Sequence, residues 1–187
     1  RNIGARGYMG STENVVNALA ARTLQKELES RGGVVVQMRP GYTNPHFLQR
    51  LQYAYDADAD ILISLHCNAG GGNAGYLREM GTSTYYKYEN SALLAGILQE
   101  EMLSLEWGDF GCVGNFNYSP LRSTRMPAVL VEQAFINMPK EEARLSDPEY
   151  QKEQAKVIAD GVERFLVQAG VAPAENKTGP VEDKTGQ

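Results

Sequence analysis

Apolar positions along this chain fall into two kinds of run, helical stripes and short solid blocks, and they alternate from one end to the other. Val16, Ala20, Leu24 and Leu28 recur every four residues, with Leu19 widening the stripe, so a helix with one buried face is predicted over 12–31. Ser11 or Thr12 stands where a cap belongs, and Gly32-Gly33 supplies the stop. Val34-Val35-Val36-Gln37-Met38 predicts a strand closed by Arg39-Pro40. Asn44-Pro45 opens a second helix reaching Asp58, with Phe47, Leu48, Leu51, Ala54 and Tyr55 at helical spacing. Ile61-Leu62-Ile63-Ser64-Leu65 is the next strand, followed by the turn Gly70-Gly71-Gly72.

The second half continues the alternation. Residues 82–88 are β-rich and alternate, predicting a strand with one wetter face. Asn90 or Ser91 starts a helix through Leu105 whose stripe is Leu94, Ile97, Leu98 and Met102. A short strand is expected near 115–118. Pro127-Ala128-Val129-Leu130-Val131 is a solid apolar block running into Glu132, the pattern of a strand buried on both faces. Pro139 and Pro148 begin two last helices, the second reaching Gln168 with Val157, Ile158, Val162, Phe165 and Leu166 inward.

Strands alternating with helices predict a single α/β domain over 1–168 and a flexible polar tail over 169–187. The sheet is expected to be mixed, mostly parallel and twisted, with helices on both faces and with 34–38, 61–65 and 127–132 central and parallel. The chain opens in a glycine-rich loop leading straight into its first helix, so a further strand is expected upstream of that helix.

Composition narrows the function classes. Of 187 residues 42% are hydrophobic and 22% charged, ordinary for a globular domain, and a net charge of −5 argues against a nucleic-acid partner. No apolar run approaches the ~18 residues of a membrane span. Cys67 and Cys112 are too few for a disulfide framework and read as buried free thiols.

Two strand ends carry the candidate chemistry. One block delivers His66 and another Glu132, and open α/β sheets place ligands at the carboxyl ends of their strands. An imidazole suits zinc, and a carboxylate beside a metal site suits a general base. Structural readings stand beside these: a core histidine for His66, a buried ion pair with Arg122 or Arg125 for Glu132, and a helix-dipole partner for Glu13 in the first turn of 12–31. Cys67 points to the opposite strand face from His66 and is not expected to share its metal. His46 reads as a surface residue of a helix first turn.

In order along the chain, Gly4-Ala5-Arg6-Gly7, Glu13-Asn14-Val15-Val16-Asn17, Ser64-Leu65-His66-Cys67-Asn68-Ala69, Gly81-Thr82-Ser83-Thr84-Tyr85-Tyr86, Leu121-Arg122, Met126 to Asn137 and Leu145 to Tyr150 resemble the zinc-dependent N-acetylmuramoyl-L-alanine amidases. The resemblance spans residues 4–168 and implies a carboxypeptidase-like topology. It implies hydrolysis of the amide between N-acetylmuramic acid and L-alanine in peptidoglycan, and hence action in the cell envelope. It also implies Zn2+ held by Glu13 and His66, with Glu132 catalytic. Asn68 and Arg122 are expected at the substrate because they lie near the strand ends. The family's first ligand histidine belongs to a Gly-His-Gly-Gly loop, expected just upstream of Arg1. A cell-wall-binding module with an incomplete metal site and a zinc carboxypeptidase with an arginine clamp are the alternatives.

Overall fold

The computed structural model describes residues 3–39, 45–70 and 80–171. The predicted turn at 70–72, beyond Gly70, and most of the polar tail therefore lie outside the described residues. The elements are α1 (Glu13–Ser30), α2 (Phe47–Asp56), β1 (Leu62–Asn68), β2 (Thr82–Tyr86), α3 (Ala92–Leu103), β3 (Asp109–Val113), β4 (Ala128–Phe135), α4 (Pro139–Leu145) and α5 (Pro148–Gln168). Among the described residues the sheet has the order β1-β4-β2-β3. β1 runs parallel to β4 and β2 parallel to β3, while β2 is antiparallel to β4. The sheet is thus mixed, with β4 internal and buried at every position.

Strand parity divides the core. Ile63, Leu65 and Cys67 of β1, with Val129 and Val131 of β4, pack with Val16 and Leu24 of α1, Leu94 and Leu98 of α3, and Ile158 of α5. The alternate residues Leu62 and Ala128 turn the other way, toward Ala54 and Leu51 of α2 and Met126. Helices therefore cover both faces, thickly on the first and only at the start of β1 and β4 on the second. The uncovered end of that second face is where His66 and Glu132 emerge.

Several expectations are corrected. Residues 34–38 form no strand: Val34 is 95% exposed and the segment crosses the surface without a ladder, so the apolar run was read without a partner to pair with. β1 is consequently an edge of the described sheet, not a central strand. The strand expected at 115–118 is instead β3, whose internal Gly111 adopts a positive φ that hides the period. β2 has no wet side at its start. Thr82, Ser83 and Thr84 are all buried, with Thr82 Oγ1 donating to the Glu132 carbonyl and Thr84 Oγ1 to Gln99 Oε1. Leu19 and Leu48 lie outside the core, and Cys112 sits exposed on edge strand β3.

Candidate metal centre and active site

The site begins with how α1 starts. The amides of Glu13 and Asn14, which a helix cannot satisfy internally, donate to the carbonyls of Ala5 and Ile3. Thr12 occupies the cap position without a side-chain hydrogen bond. The loop thus caps the helix through its backbone, and in return the Ala5 amide donates to Glu13 Oε2 at 2.8 Å. Gly4, at φ 70°, has no room for a side chain, since a Cβ there would lie 2.2 Å from Glu13 Oε2. Glu13 is in this way held by the chain that precedes it.

The other oxygen, Glu13 Oε1, accepts from His66 Nδ1 at 2.9 Å. His66 and Glu132 are Cα partners in the parallel ladder, so both side chains leave the same face of the sheet. The strands continue past both residues, to Asn68 and Phe135, so His66 and Glu132 do not end their strands as expected; they lie in the carboxyl-terminal halves of β1 and β4, with Glu13 reaching in from the first turn of α1. Burial pushes the Glu13 carboxyl up, but the hydrogen bond from His66, the Ala5 amide and the charge of His66 bring it net below the usual value.

Glu132 has the opposite balance. Burial, reinforced by the negative charge of Glu13 and opposed by His66, raises it to about 7. Its Oε2 is buried without a hydrogen-bond partner among the described residues. The ion-pair reading of Glu132 fails: Arg125 lies 3.9 Å from Asp58 and over the Tyr55 ring, and Arg122 donates to the Asn117 carbonyl at 3.5 Å.

The chemistry of these donors fits a zinc ion. Two ligand atoms each about 2.0–2.1 Å from one tetrahedral zinc lie roughly 3.3 Å apart, and a shift of a few tenths of an ångström from the 2.9 Å contact would accommodate that. On the same face Glu132 presents a buried carboxylate oxygen that has no hydrogen-bond partner among the described residues. Among the described residues no set of three His, Cys, Asp or Glu side chains could hold a metal ion. His46 is occupied elsewhere, its Nδ1 accepting from the Leu48 amide and its own amide donating to Gln49 Oε1 as the cap of α2. Cys67 turns to the opposite face, where its thiol donates to Asn17 Oδ1; burial and the charges of Glu13 and Glu132 hold it well above its ordinary value.

The remaining candidates are less engaged. Asn68 ends β1, its side-chain oxygen accepting from the Ala69 amide. Arg122 follows a 3-10 turn at Ser119–Leu121 and is exposed. Three participants were missed. Tyr118 packs on Phe116, which packs on Tyr85, with centroids 4.6 and 4.5 Å apart. Burial and the charges of Glu132, Tyr85 and Glu13 raise its phenol, which stays a donor at neutral pH. Glu142 accepts from the amides of Met9 and Ser11, bracing the loop that precedes Glu13. Asn17 donates to Glu13 Oε1 at 3.2 Å. Only Asn17 carried a signal in the sequence, one helical turn after Glu13.

Comparison with known proteins adds to this geometry. The profile described as N-acetylmuramoyl-L-alanine amidase matches residues 1–164. The uncharacterized protein YqiI of Bacillus subtilis (strain 168) is 30% identical over 167 residues, 85% of this chain and 77% of that protein. The N-acetylmuramoyl-L-alanine amidase LytC of the same strain is 30% identical over 153 residues, 81% of this chain but only 31% of LytC. The catalytic domain of CwlV, an N-acetylmuramoyl-L-alanine amidase from Bacillus (Paenibacillus) polymyxa var. colistinus, superposes with a TM-score of 0.80 at 30% identity, covering 88% of this chain and 91% of that one.

Proposed function

This chain belongs to the N-acetylmuramoyl-L-alanine amidase family, and on that premise we propose that it is a catalytic domain cleaving the amide between the lactyl group of N-acetylmuramic acid and the L-alanine of the peptidoglycan stem peptide. The observation that carries this reading is the meeting of Glu13, His66 and Glu132 on one rim, with the first two 2.9 Å apart and the third buried and unpartnered at Oε2. Glu13 Oε1 and His66 Nδ1 are the two ligands this chain contributes to zinc.

Zinc, when bound, supplies Lewis acidity toward the scissile carbonyl and acidifies water at neutral pH. The protein groups do the rest. Glu132, raised to about 7 by burial, takes a proton from the attacking water and returns it to the departing amine of L-alanine. Low exposure of Glu13 and Glu132 keeps these carboxylates poorly solvated, where their charges act strongly. Tyr118, with its phenol near both carboxylates, is a donor available to the substrate. Asn68 and Arg122 are the further substrate contacts in this reading. The relatives named N-acetylmuramoyl-L-alanine amidases support a place of action in the cell envelope.

A carboxypeptidase would want a guanidinium aimed at the rim to clamp a free carboxylate, and Arg125 lies over the Tyr55 ring instead. Product analysis of digested cell walls tests the reading. Intact stem peptides with free L-alanine amino termini are expected. Release of terminal amino acids would make the protein a carboxypeptidase, and an unchanged wall under zinc would make it a binding module.

A further inference from the structure

Buried polar side chains form an unbroken line from the helical layer to Glu13. Trp107 Nε1 donates to the Tyr150 hydroxyl at 2.6 Å, and that hydroxyl donates to Gln154 Oε1 at 2.8 Å. Gln154 Nε2 donates to Gln133 Oε1 at 2.7 Å, and Gln133 Nε2 to Asn17 Oδ1 at 2.9 Å. Asn17 Nδ2 then donates to Glu13 Oε1 at 3.2 Å. Trp107, Tyr150, Gln154 and Gln133 are all buried, and Asn17 is half-buried.

The two ends fix the direction of the line. An indole N–H can only donate and an ionised carboxylate can only accept, so each amide between them must turn its oxygen toward Trp107 and its NH2 toward Glu13. Side links reinforce the order. Gln133 Nε2 also donates to the His66 carbonyl at 3.1 Å, and Asn17 Oδ1 also accepts from the Cys67 thiol at 3.3 Å. Every dipole thus points its positive end at Glu13, and in a low-dielectric core such aligned bonds strengthen one another. Gln133 touches the backbone of one proposed ligand while Asn17 holds the side chain of the other.

We propose that this line is a positioning device for the metal centre, with Asn17 and Gln133 as positioning residues that fix which Glu13 oxygen faces His66. The proposal rests on the reading of Glu13 as a zinc ligand. Its signature is a graded effect. A break close to Glu13 loosens the carboxylate most, whereas Gln133, Gln154 and Tyr150 are all sealed in the core, so loss of stability does not follow the same order.

The test uses the natural-length protein. Zinc affinity is measured by competition with a chelator, and the melting temperature is measured on the metal-free form, for Asn17→Leu, Gln133→Met, Gln154→Met and Tyr150→Phe. Asn17→Leu is expected to weaken zinc binding by about 10–100-fold, as loss of a partner to a metal ligand does. The loss should shrink through Gln133→Met to Tyr150→Phe, while the drop in melting temperature does not follow that order. Gln133→Leu carries the same expectation if Asn17→Leu does not fold. Wild-type zinc affinity in the Asn17 and Gln133 variants, or affinities that simply follow melting temperature, would overturn the positioning role. Glu13→Ala separates the two ideas: if it keeps wild-type affinity, the ligand reading itself is wrong and the proposal falls with it.

Discussion

Glu132 inside β4 and the pair Glu141–Glu142 in the first turn of α4 are all buried carboxylates, yet the protein treats them in opposite ways. Glu141 and Glu142 are fully buried and fully employed. Glu141 accepts from the amides of Met80, Gly81 and Phe135, tying the starts and ends of neighbouring strands together. Glu142 accepts from Met9 and Ser11 and so closes the loop before α1 around itself. Glu132 is buried to a similar degree, but its Oε2 has no partner among the described residues and its carboxyl is lifted to about 7. A buried carboxylate costs several kcal/mol unless amides or cations compensate it. The fold supplies that compensation where the role is architectural and withholds it at Glu132, where the proposed reaction needs a proton to come and go.

The largest effect that sharpens this contrast is on turnover. Glu132→Gln keeps the shape and removes the base, so hydrolysis of purified cell wall should fall by about 10²–10⁴-fold while zinc affinity and fold persist. Full activity in that variant would dissolve the distinction between the two regions. Glu142→Leu should do the reverse, costing about 3 kcal/mol in denaturant titration because two amides lose their acceptor. Gly7→Ala belongs with it, since a Cβ there would lie 2.1 Å from Glu142 Oε1.

Acid–base behaviour gives a third test. Between the ordinary carboxylate value of 4.5 and the folded value of about 7, the folded protein holds a proton on Glu132 that the unfolded chain has released. Stability of the metal-free protein should therefore fall as pH rises through that window, by up to about 3 kcal/mol at 1.36 kcal/mol per unit. Glu132→Gln should flatten that slope in denaturation curves taken at successive pH values. A slope unchanged in the variant would place its origin elsewhere.

Smallest of all is the effect at Val34. Although it belongs to an apolar run, its 95% exposure predicts that Val34→Thr shifts stability by less than about 0.5 kcal/mol. A loss of more than that would mean that the segment packs.

That valine marks where the sequence misled. Solid apolar blocks at 62–65 and 128–131 were legible as strands because both faces of each meet packing partners. The same chemistry at 34–36 has no partner strand among the described residues, and a strand is made by pairing, not by its own residues. Strand β3 was missed for the converse reason: Asp109 and Gly111 dilute its pattern, but β2 lies beside it. At the site, His66 and Glu132 were readable from strand ends alone, whereas Glu13 came only from the resemblance. An acidic residue in a helix first turn has an ordinary explanation in the helix dipole. Glu141 and Glu142 share that position and that ordinary explanation, and nothing in their local sequence reveals that they are sealed in and bound to distant amides. Asn17, one helical turn after Glu13, was legible as its partner, whereas the contact of Gln133 with Asn17 joins β4 to α1 and no local pattern encodes it.

The central claim is that Glu13 and His66 share one zinc ion beside Glu132. Crystals of the natural-length protein grown with zinc, measured on both sides of the zinc absorption edge, test it most directly. The account predicts one strong anomalous peak bonded to Glu13 Oε1 and His66 Nδ1 on the face where Glu132 emerges. A well-occupied zinc bound elsewhere, with Glu13 and His66 still hydrogen-bonded only to each other, would contradict it.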